Sequence, residues 1–263
     1  MDKPVTSSKT LARALLSPVF PVLIAVVFLA LATALRVGLK DQDNHQLQAN
    51  LANEAEAMTT LLEREFQIHA EAIDRMASRM TIDPTMTEYR WRADARNYLQ
   101  NFGVYQAVEW IDQNFVIRWL EPLAGNENVI GYNVAFSEQR RQALETARET
   151  GAYDISDVIN LRQGGKGMVI YAPVGLGAAN RGFVAGVFRM QTLVEQLLDK
   201  RVLNNFLIEI HNAGHLRYTL NQSADIDPGF SASAPVNLPS LDWTLTLKPP
   251  GHGSISSRVP GRG

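Results

Sequence analysis

The 263-residue sequence contains no cysteine. That absence excludes disulfide frameworks, thiolate zinc sites, cysteine nucleophiles and lipid attachment through an N-terminal cysteine. The sequence also lacks an excess of either charge, since 25 basic and 27 acidic residues give a formal net charge of -2. Proteins that bind nucleic acids usually present a basic face, so we expect no nucleic-acid partner. With 46% hydrophobic and 20% charged residues, the composition excludes a disordered or fibrous chain, and the length allows one or two domains.

Charge is also missing from one long run near the N-terminus. Residues 14–35, ALLSPVFPVLIAVVFLALATAL, contain no charged side chain. As a helix they would span about 33 Å, which is enough to cross a hydrocarbon core of about 30 Å. Lys3, Lys9 and Arg13 precede the run, so the positive-inside rule favours a cytoplasmic tail at 1–13. We therefore predict a single transmembrane helix at 14–35, with the bulk of the chain exported.

Two alternatives to a membrane anchor stay open at this point. A cleaved signal peptide fits the small-x-small pattern at Ala30-Leu31-Ala32 and at Ala32-Thr33-Ala34, although the apolar run is longer than usual for such a peptide. A buried core helix is the other alternative, but globular helices seldom lack charge over this length. In the first two interpretations the remainder of the chain is exported.

A long helix is predicted after the membrane segment, at residues 41–81. From Leu47 to Met80 apolar side chains recur at steps of three and four, with His69 as the polar exception. The period is about 3.67 residues, close to that of a straight helix. The stripe must face either the domain that follows or the same helix of a second subunit. We predict a stalk helix that forms a homodimer, with self-packing as the alternative.

Beyond the stalk the pattern changes to short helices and aromatic or β-branched segments. The sequence predicts an α+β fold with two tandem PAS-like subdomains, membrane-distal at 82–182 and membrane-proximal at 183–248, followed by an irregular tail at 249–263. The predicted helices are 89–101, 137–150 and 191–201, and the predicted strand segments are 104–112, 115–121, 153–161, 168–174, 182–190, 206–211, 216–220, 230–236 and 241–248.

The most conspicuous local motif is the glycine-rich stretch from Gln163 to Gly167. It is not a P-loop, because Gly167 follows Lys166 where that motif has Ser or Thr. Its glycines expose backbone N–H groups that, with Lys166, could hold an anion or a polar ligand. A plain hairpin turn is the alternative.

Aromatic residues on the predicted strands offer a pocket lining. Trp110, Tyr132 and Tyr171 are candidates for ligand contacts, although strand aromatics more often belong to a core. Glu109 and Glu121, on the first predicted hairpin, are expected to be solvated. We find no activated nucleophile, metal-ligand cluster or kinase motif, so we expect no enzyme activity, cofactor or metal.

Four ordered strings resemble the CHASE family of extracellular sensor domains. They are ARNYLQNFGVYQAVEWID, IRWLEPLAGNENVIGYN, RRQALETARETG and LRQGGKGMVIYAPV, and the resemblance extends over about residues 76–248. It implies a periplasmic small-molecule sensor whose distal subdomain holds the ligand. Such modules control histidine kinases of two-component systems or diguanylate cyclases of cyclic-di-GMP signalling, and we expect this chain to be a fragment that lacks such an output domain.

The plant members of that family bind cytokinins, and the resemblance places their ligand-reading positions on Asn133, Ile155 and Gln163. Asn133 replaces an aspartate, which exchanges a pure acceptor for a mixed donor and acceptor. The disulfide of the plant members also has no cysteine here. A small polar ligand other than a cytokinin is therefore expected. A periplasmic hydrolase and a protein-partner module without a small ligand are the rival interpretations.

Overall fold

The structure is a computed structural model that describes residues 19–162, 164–197, 206–221 and 226–251. The predicted tail at 1–13, the first five residues of the predicted membrane segment, Gln163 and residues 252–263 of the predicted C-terminal tail lie outside the described residues. The chain divides into two units, residues 1–50 and residues 51–263.

Helix α1, Val19–Ile82, is continuous through both predicted segments, membrane and stalk. No proline occurs between Pro21 and Pro84, so nothing in this stretch removes a backbone N–H from the helix. In the first unit the side chains of residues 22–43 are exposed. Within the part of the chain that the structure describes, one helix near the N-terminus is long and apolar enough to cross a membrane.

The apolar stripe of α1 is buried in the second unit from Leu51 onward. Leu62, Phe66, Ile73 and Met76 are each at most 2% exposed, because the stripe packs on the chain's own sheets. Of the two alternatives for this stripe, self-packing is therefore the one observed. The predicted homodimer contact cannot use these residues, since they are already covered.

The first sheet contains six strands. They are β1 Tyr105–Asp112, β2 Ile117–Glu121, β3 Asp154–Ile155, β4 Ile159–Asn160, β5 Lys166–Val174 and β6 Gly182–Arg189. Five of them run in the antiparallel order β2-β1-β6-β5-β3, and β4 pairs with β5. This α+β arrangement of a long helix followed by antiparallel sheets confirms the predicted fold class.

Helices cover both faces of the first sheet. Helix α2, Glu88–Phe102, packs with α1 on one face, where Trp91 is fully buried. Helix α3, Glu138–Thr150, covers the other face through Ala143, Leu144 and Ala147, which join one core cluster with side chains of β1, β5 and β6. Gly151 ends α3 with a left-handed backbone at φ +71°, as the sequence predicts for a C-cap glycine.

The second sheet follows the short helix α4, Met190–Leu197. Its strands are β7 Leu207–Asn212, β8 His215–Leu220, β9 Ala232–Leu238 and β10 Leu241–Lys248, in the order β8-β7-β10-β9. Because β6 belongs to the first sheet, the two sheets divide after Arg189 rather than after residue 182, where the sequence analysis placed the boundary. Trp243 of β10 packs edge-on against Phe66 of α1, with ring centroids 6.3 Å apart.

Candidate ligand-binding site

A row of buried polar side chains crosses the first sheet beneath α3. Glu109, Ala185, Tyr171 and Asp154 lie directly opposite one another on β1, β6, β5 and β3. Cross-strand partners share one face of a sheet, so all four side chains point towards α3. Glu109, Tyr171 and Asp154 are at most 3% exposed. The small side chain of Ala185 leaves space between Glu109 and Tyr171.

Arg140 is a buried cation above this row. It lies on the inner face of α3, one turn before Ala143 and Leu144, and is 7% exposed. Its charge acts on both Glu109 and Tyr171, lowering the pKa of each against the effect of burial. Among the described residues, no carboxylate pairs with Arg140 and no carbonyl accepts a hydrogen bond from it. The Arg140 guanidinium makes no hydrogen bond or ion pair with a described residue and borders an open cavity, so this position can receive an anion.

The other polar groups of the row are also unsatisfied. Burial raises the pKa of Glu109 to about 7, so near neutral pH the carboxyl group is available as a hydrogen-bond donor or as an acceptor. The Tyr171 hydroxyl has no hydrogen-bond partner in the structure. Burial raises the pKa of Tyr171 as well, so the hydroxyl stays protonated and can donate.

A cavity of about 360 Å³ opens beside Arg140, and we call it the basic pocket. Four cationic side chains line it together with Tyr132 and Asn160: Arg140, Arg162, Lys166 and Arg217. The Arg162 guanidinium lies 4.4 Å from the centre of the Tyr132 ring, a cation–π contact. Lys166 Nζ donates to the carbonyl of Arg217 at 2.5 Å, and Arg217 Nε lies 2.9 Å from Asp157 Oδ2. The pocket therefore combines three cations that already contact protein groups with Arg140, which acts on Glu109 through its charge but makes no hydrogen bond or ion pair among the described residues.

The walls of the basic pocket come from both sheets. One wall belongs to the first sheet and its covering helix, and it includes Lys166, β4 and the start of α3. The other wall contains Arg217, which lies on β8 of the second sheet. Asp157 joins the two sides more firmly, because its Oδ1 also accepts a hydrogen bond from Trp243 Nε1 at 3.3 Å. Anything bound in this pocket would touch both sheets at once.

The site residues expected from sequence separate into several environments. Tyr132 and Lys166 line the basic pocket, and Tyr171 lies in the polar row beneath it. Ile155 lies on β3 and lines two other cavities. Asn133 is used by its own loop, since its Oδ1 accepts from Ala135 N at 2.9 Å and its Nδ2 donates to Asn114 O at 3.1 Å.

Trp110, another of the expected residues, does not join the pocket. Trp110 alternates with Glu109 along β1 and therefore faces the opposite side of the sheet, where its ring lies 6.0 Å from Trp119. Trp119 in turn lies 5.8 Å from Trp91 of α2. Gln163 lies outside the described residues.

Sequence patterns alone did not identify Glu109 and Arg140, two buried charged residues of the candidate site. The expectation that Glu109 is solvated is wrong, because strand alternation places it on the same face as the buried Ala107 and Ile111. Glu121 is not solvated either, and it accepts hydrogen bonds from Arg92 and Arg96. Arg140 had a readable signal, since it lies three, four and seven residues before the apolar face of α3.

A larger hollow of about 570 Å³ lies elsewhere, between α1 and the β9–β10 hairpin. It is lined by two carboxylates, Glu63 and Asp242, and, among the described residues, by no cationic side chain; Glu63 accepts hydrogen bonds from Asn237 N at 2.6 Å and Asn237 Nδ2 at 2.8 Å. Size alone would favour this hollow, but the buried charge of Arg140 favours the basic pocket.

The sequence matches the CHASE domain family over residues 35–222, and the chain belongs to that family. Comparison with curated protein sequences gives no significant match.

Solved structures with the same fold are ligand-binding domains of bacterial receptors. The ligand-binding domain of the Pseudomonas fluorescens chemoreceptor CtaA, in complex with L-alanine, is 14% identical with a TM-score of 0.58, covering 80% of this chain and all of that one. The domain of the Pseudomonas aeruginosa PAO1 chemoreceptor PctC, in complex with GABA, is 13% identical with a TM-score of 0.58, covering 77% of this chain and 99% of that one. An extracellular ligand-binding receptor from Desulfohalobium retbaense is 15% identical with a TM-score of 0.61, and this chain, 74% of it covered, spans 39% of that receptor.

Proposed function

We propose that this chain is the periplasmic sensor part of a transmembrane signalling protein and that its ligand is a small carboxylate bound in the basic pocket. The observation that carries the proposal is Arg140, a residue that is 7% exposed, borders the basic pocket and makes no hydrogen bond or ion pair with a described residue. Planar, bidentate recognition of a carboxylate is what a guanidinium does best. Arg162 and Lys166 would add positive potential at the pocket mouth.

The polar row supports a more specific class of ligand. A carboxylate held by Arg140 would lie near Glu109 and the Tyr171 hydroxyl, which could accept from and donate to a second polar group on the same molecule. Free amino acids carry a carboxylate and an ammonium group within one small molecule, and the PctC and CtaA domains are solved with such ligands. We take free amino acids and related small carboxylates as the ligand class.

We also propose that α1 anchors the sensor as a single span in the bacterial inner membrane and dimerises through a face other than the buried stripe. The exposed side chains of residues 22–43 support the anchor. Ala57, Leu61 and Ile68 support the dimer, because they are exposed apolar residues at heptad spacing on the outer face of α1. The relay would then be a small shift of paired helices.

The position of the pocket suggests how binding could reach α1. A ligand carboxylate would compete with Asp157 for Arg217 and would thereby alter the contact between the two sheets. Each sheet is tied to α1: Thr81 Oγ1 accepts from Gly175 N at 2.9 Å, and Glu63 accepts from Asn237. A change at the junction of the sheets would therefore act on α1 at two positions, Thr81 and Glu63. For signalling, the ligand must bind the two resulting states with different affinity.

A thermal-shift screen of the full chain in detergent tests the proposal. The panel contains the free amino acids, small dicarboxylates and the primary amide of each acid. We expect a subset of the carboxylates to raise the unfolding temperature, and we expect the matching amides and the Arg140→Met variant to show no such rise. No stabilisation by any acid, together with a protein that co-purifies on the same domain, would favour a protein-partner module instead.

A further inference from the structure

A second, smaller cavity of about 150 Å³ lies next to the basic pocket, between α3, β3 and the second sheet. Gln139 and Arg217 line both cavities. The remaining polar lining consists of oxygen-bearing groups: Gln142, Asp154, Asp157, Asn212 and Ser240. Carboxylate, amide and hydroxyl oxygens are the ligands that hard cations prefer.

The Asp154 carboxylate is buried in this cavity with weak hydrogen-bond compensation. The residue is 2% exposed, and neither carboxylate oxygen accepts a hydrogen bond of good geometry. The Ser240 hydroxyl and the Ile155 N–H lie close enough to lower its pKa, but burial outweighs them and raises the pKa overall. A buried carboxylate in this situation needs either a proton or a positive charge beside it.

The charges around the cavity leave one negative charge unbalanced. Asp157 is committed, because it pairs with Arg217 at 2.9 Å and accepts hydrogen bonds from Val158 N at 2.7 Å and from Trp243 Nε1. Asp154 is then the carboxylate without compensation. Among the described residues there is no group of three or more His, Cys, Asp or Glu placed to hold a metal ion, which argues against a divalent site. One unit of positive charge balances the cavity.

The size of the cavity agrees with a small, partly hydrated ion. A volume of about 150 Å³ corresponds to about five water molecules at the density of the liquid. That is enough for an ion with two or three waters or for a primary ammonium group, whereas a quaternary ammonium has no N–H group to donate to Asp154.

We infer that this cavity is a binding site for one monovalent cation, an alkali-metal ion or an ammonium group, held by Asp154 where the two sheets meet. The site is distinct from the carboxylate position at Arg140 and does not depend on it. An ion held there draws β3 of the first sheet and the β9–β10 turn of the second sheet together, so it stiffens the junction that the basic pocket also contacts.

Thermal unfolding of the full chain in detergent tests this inference. The buffer contains choline as the sole cation or replaces it, at constant ionic strength, by sodium, potassium, ammonium or calcium. The variants are Asp154→Asn and, as a matched control, Asp242→Asn, which removes an exposed carboxylate on the neighbouring strand β10. The wild type and the control should unfold about 2–4 °C higher in a small monovalent cation than in choline. Asp154→Asn should show no difference.

Each result decides one point. Stabilisation by sodium or potassium identifies a metal-ion site, and stabilisation by ammonium alone identifies an ammonium site. Equal unfolding temperatures in all cations for the wild type would overturn the inference, since the cavity would then hold water only or Asp154 would carry a proton. An undiminished cation effect in Asp154→Asn, or an effect of calcium alone, would also overturn it. The cation effect should persist in Arg140→Met, which separates this site from the proposed ligand position.

Discussion

Replacing Arg140 by methionine should stabilise the ligand-free protein while removing ligand binding. Methionine keeps an unbranched apolar stem in the same place on α3 and removes a charge that is 7% exposed and has no partner among the described residues. Replacing a buried ion pair or triad by apolar residues of similar volume is often neutral or stabilises a protein by about 1–4 kcal/mol, and we apply this range to a charge that makes no ion pair. Arg140 borders a pocket rather than a dry core, so we take the lower end, about 1–2 kcal/mol.

Glu109 does not cancel this gain. Loss of the Arg140 charge raises the pKa of Glu109 further above its present value of about 7, and the carboxyl group takes up a proton instead of remaining as a buried anion. The net effect corresponds to an increase of about 2–8 °C in unfolding temperature for a domain of this size. Circular dichroism of the full chain in detergent, without ligand, measures it.

The neighbouring arginine supplies the control. Arg141 is exposed and pairs with Glu138 at 2.7 Å and Glu145 at 2.9 Å, so Arg141→Met should leave the stability nearly unchanged. If Arg140→Met instead destabilises the protein by 2 kcal/mol or more (roughly the cost of a lost buried interaction), Arg140 has a structural partner and the argument for an anion site is refuted.

Three further predictions concern other parts of the chain. The pKa of Glu109 is about 7 in the folded protein, whereas its ordinary value is 4.5. The free energy of unfolding of the wild type should therefore fall by about 2–3 kcal/mol, relative to that of Glu109→Gln, as the pH rises from about 5 to about 8. Urea unfolding at each pH measures this difference. Gly186→Ala places a Cβ 2.9 Å from Ile73, and unfolding should show a loss of about 1–3 kcal/mol where α1 packs on the first sheet. Because the chain has no cysteine, Leu61→Cys should form a disulfide-linked dimer in membranes, whereas Glu127→Cys should not; equal cross-linking would contradict the proposed dimer face.

Much of the fold could be predicted because local patterns carry it. The spacing of apolar residues from Leu51 to Met80 predicts the second part of α1. Segments in which apolar and polar residues alternate locate most of the strands to within one or two residues. The boundary between the sheets could not be predicted from local patterns. Strand β6 pairs with β5, which directly precedes it, and also with β1, which lies far earlier in the sequence. The sequence indicates that the apolar stripe of α1 must be covered but not by what; only the three-dimensional packing shows that the chain's own sheets cover it.

The candidate site was less predictable, because it depends on which face each side chain takes. The resemblance to plant sensors directed attention to Asn133, whose amide is used by its own loop. Trp110 differs from Glu109 by one position on β1, yet this single step places it on the other side of the sheet. Arg140 and Glu109 are ordinary charged residues in the sequence. Their significance comes from burial and from the absence of partners within the described residues, and both are properties of the folded chain.

The most direct test of the central claim is calorimetric titration of the full chain with each stabilising carboxylate and with its primary amide, in the wild type and in Arg140→Met. We predict that the wild type binds the acid and that either change, amide for acid or methionine for arginine, weakens binding about 10- to 100-fold, the range expected for a charge-assisted hydrogen-bonded pair. Equal affinity of the wild type and Arg140→Met for the acid would contradict the account.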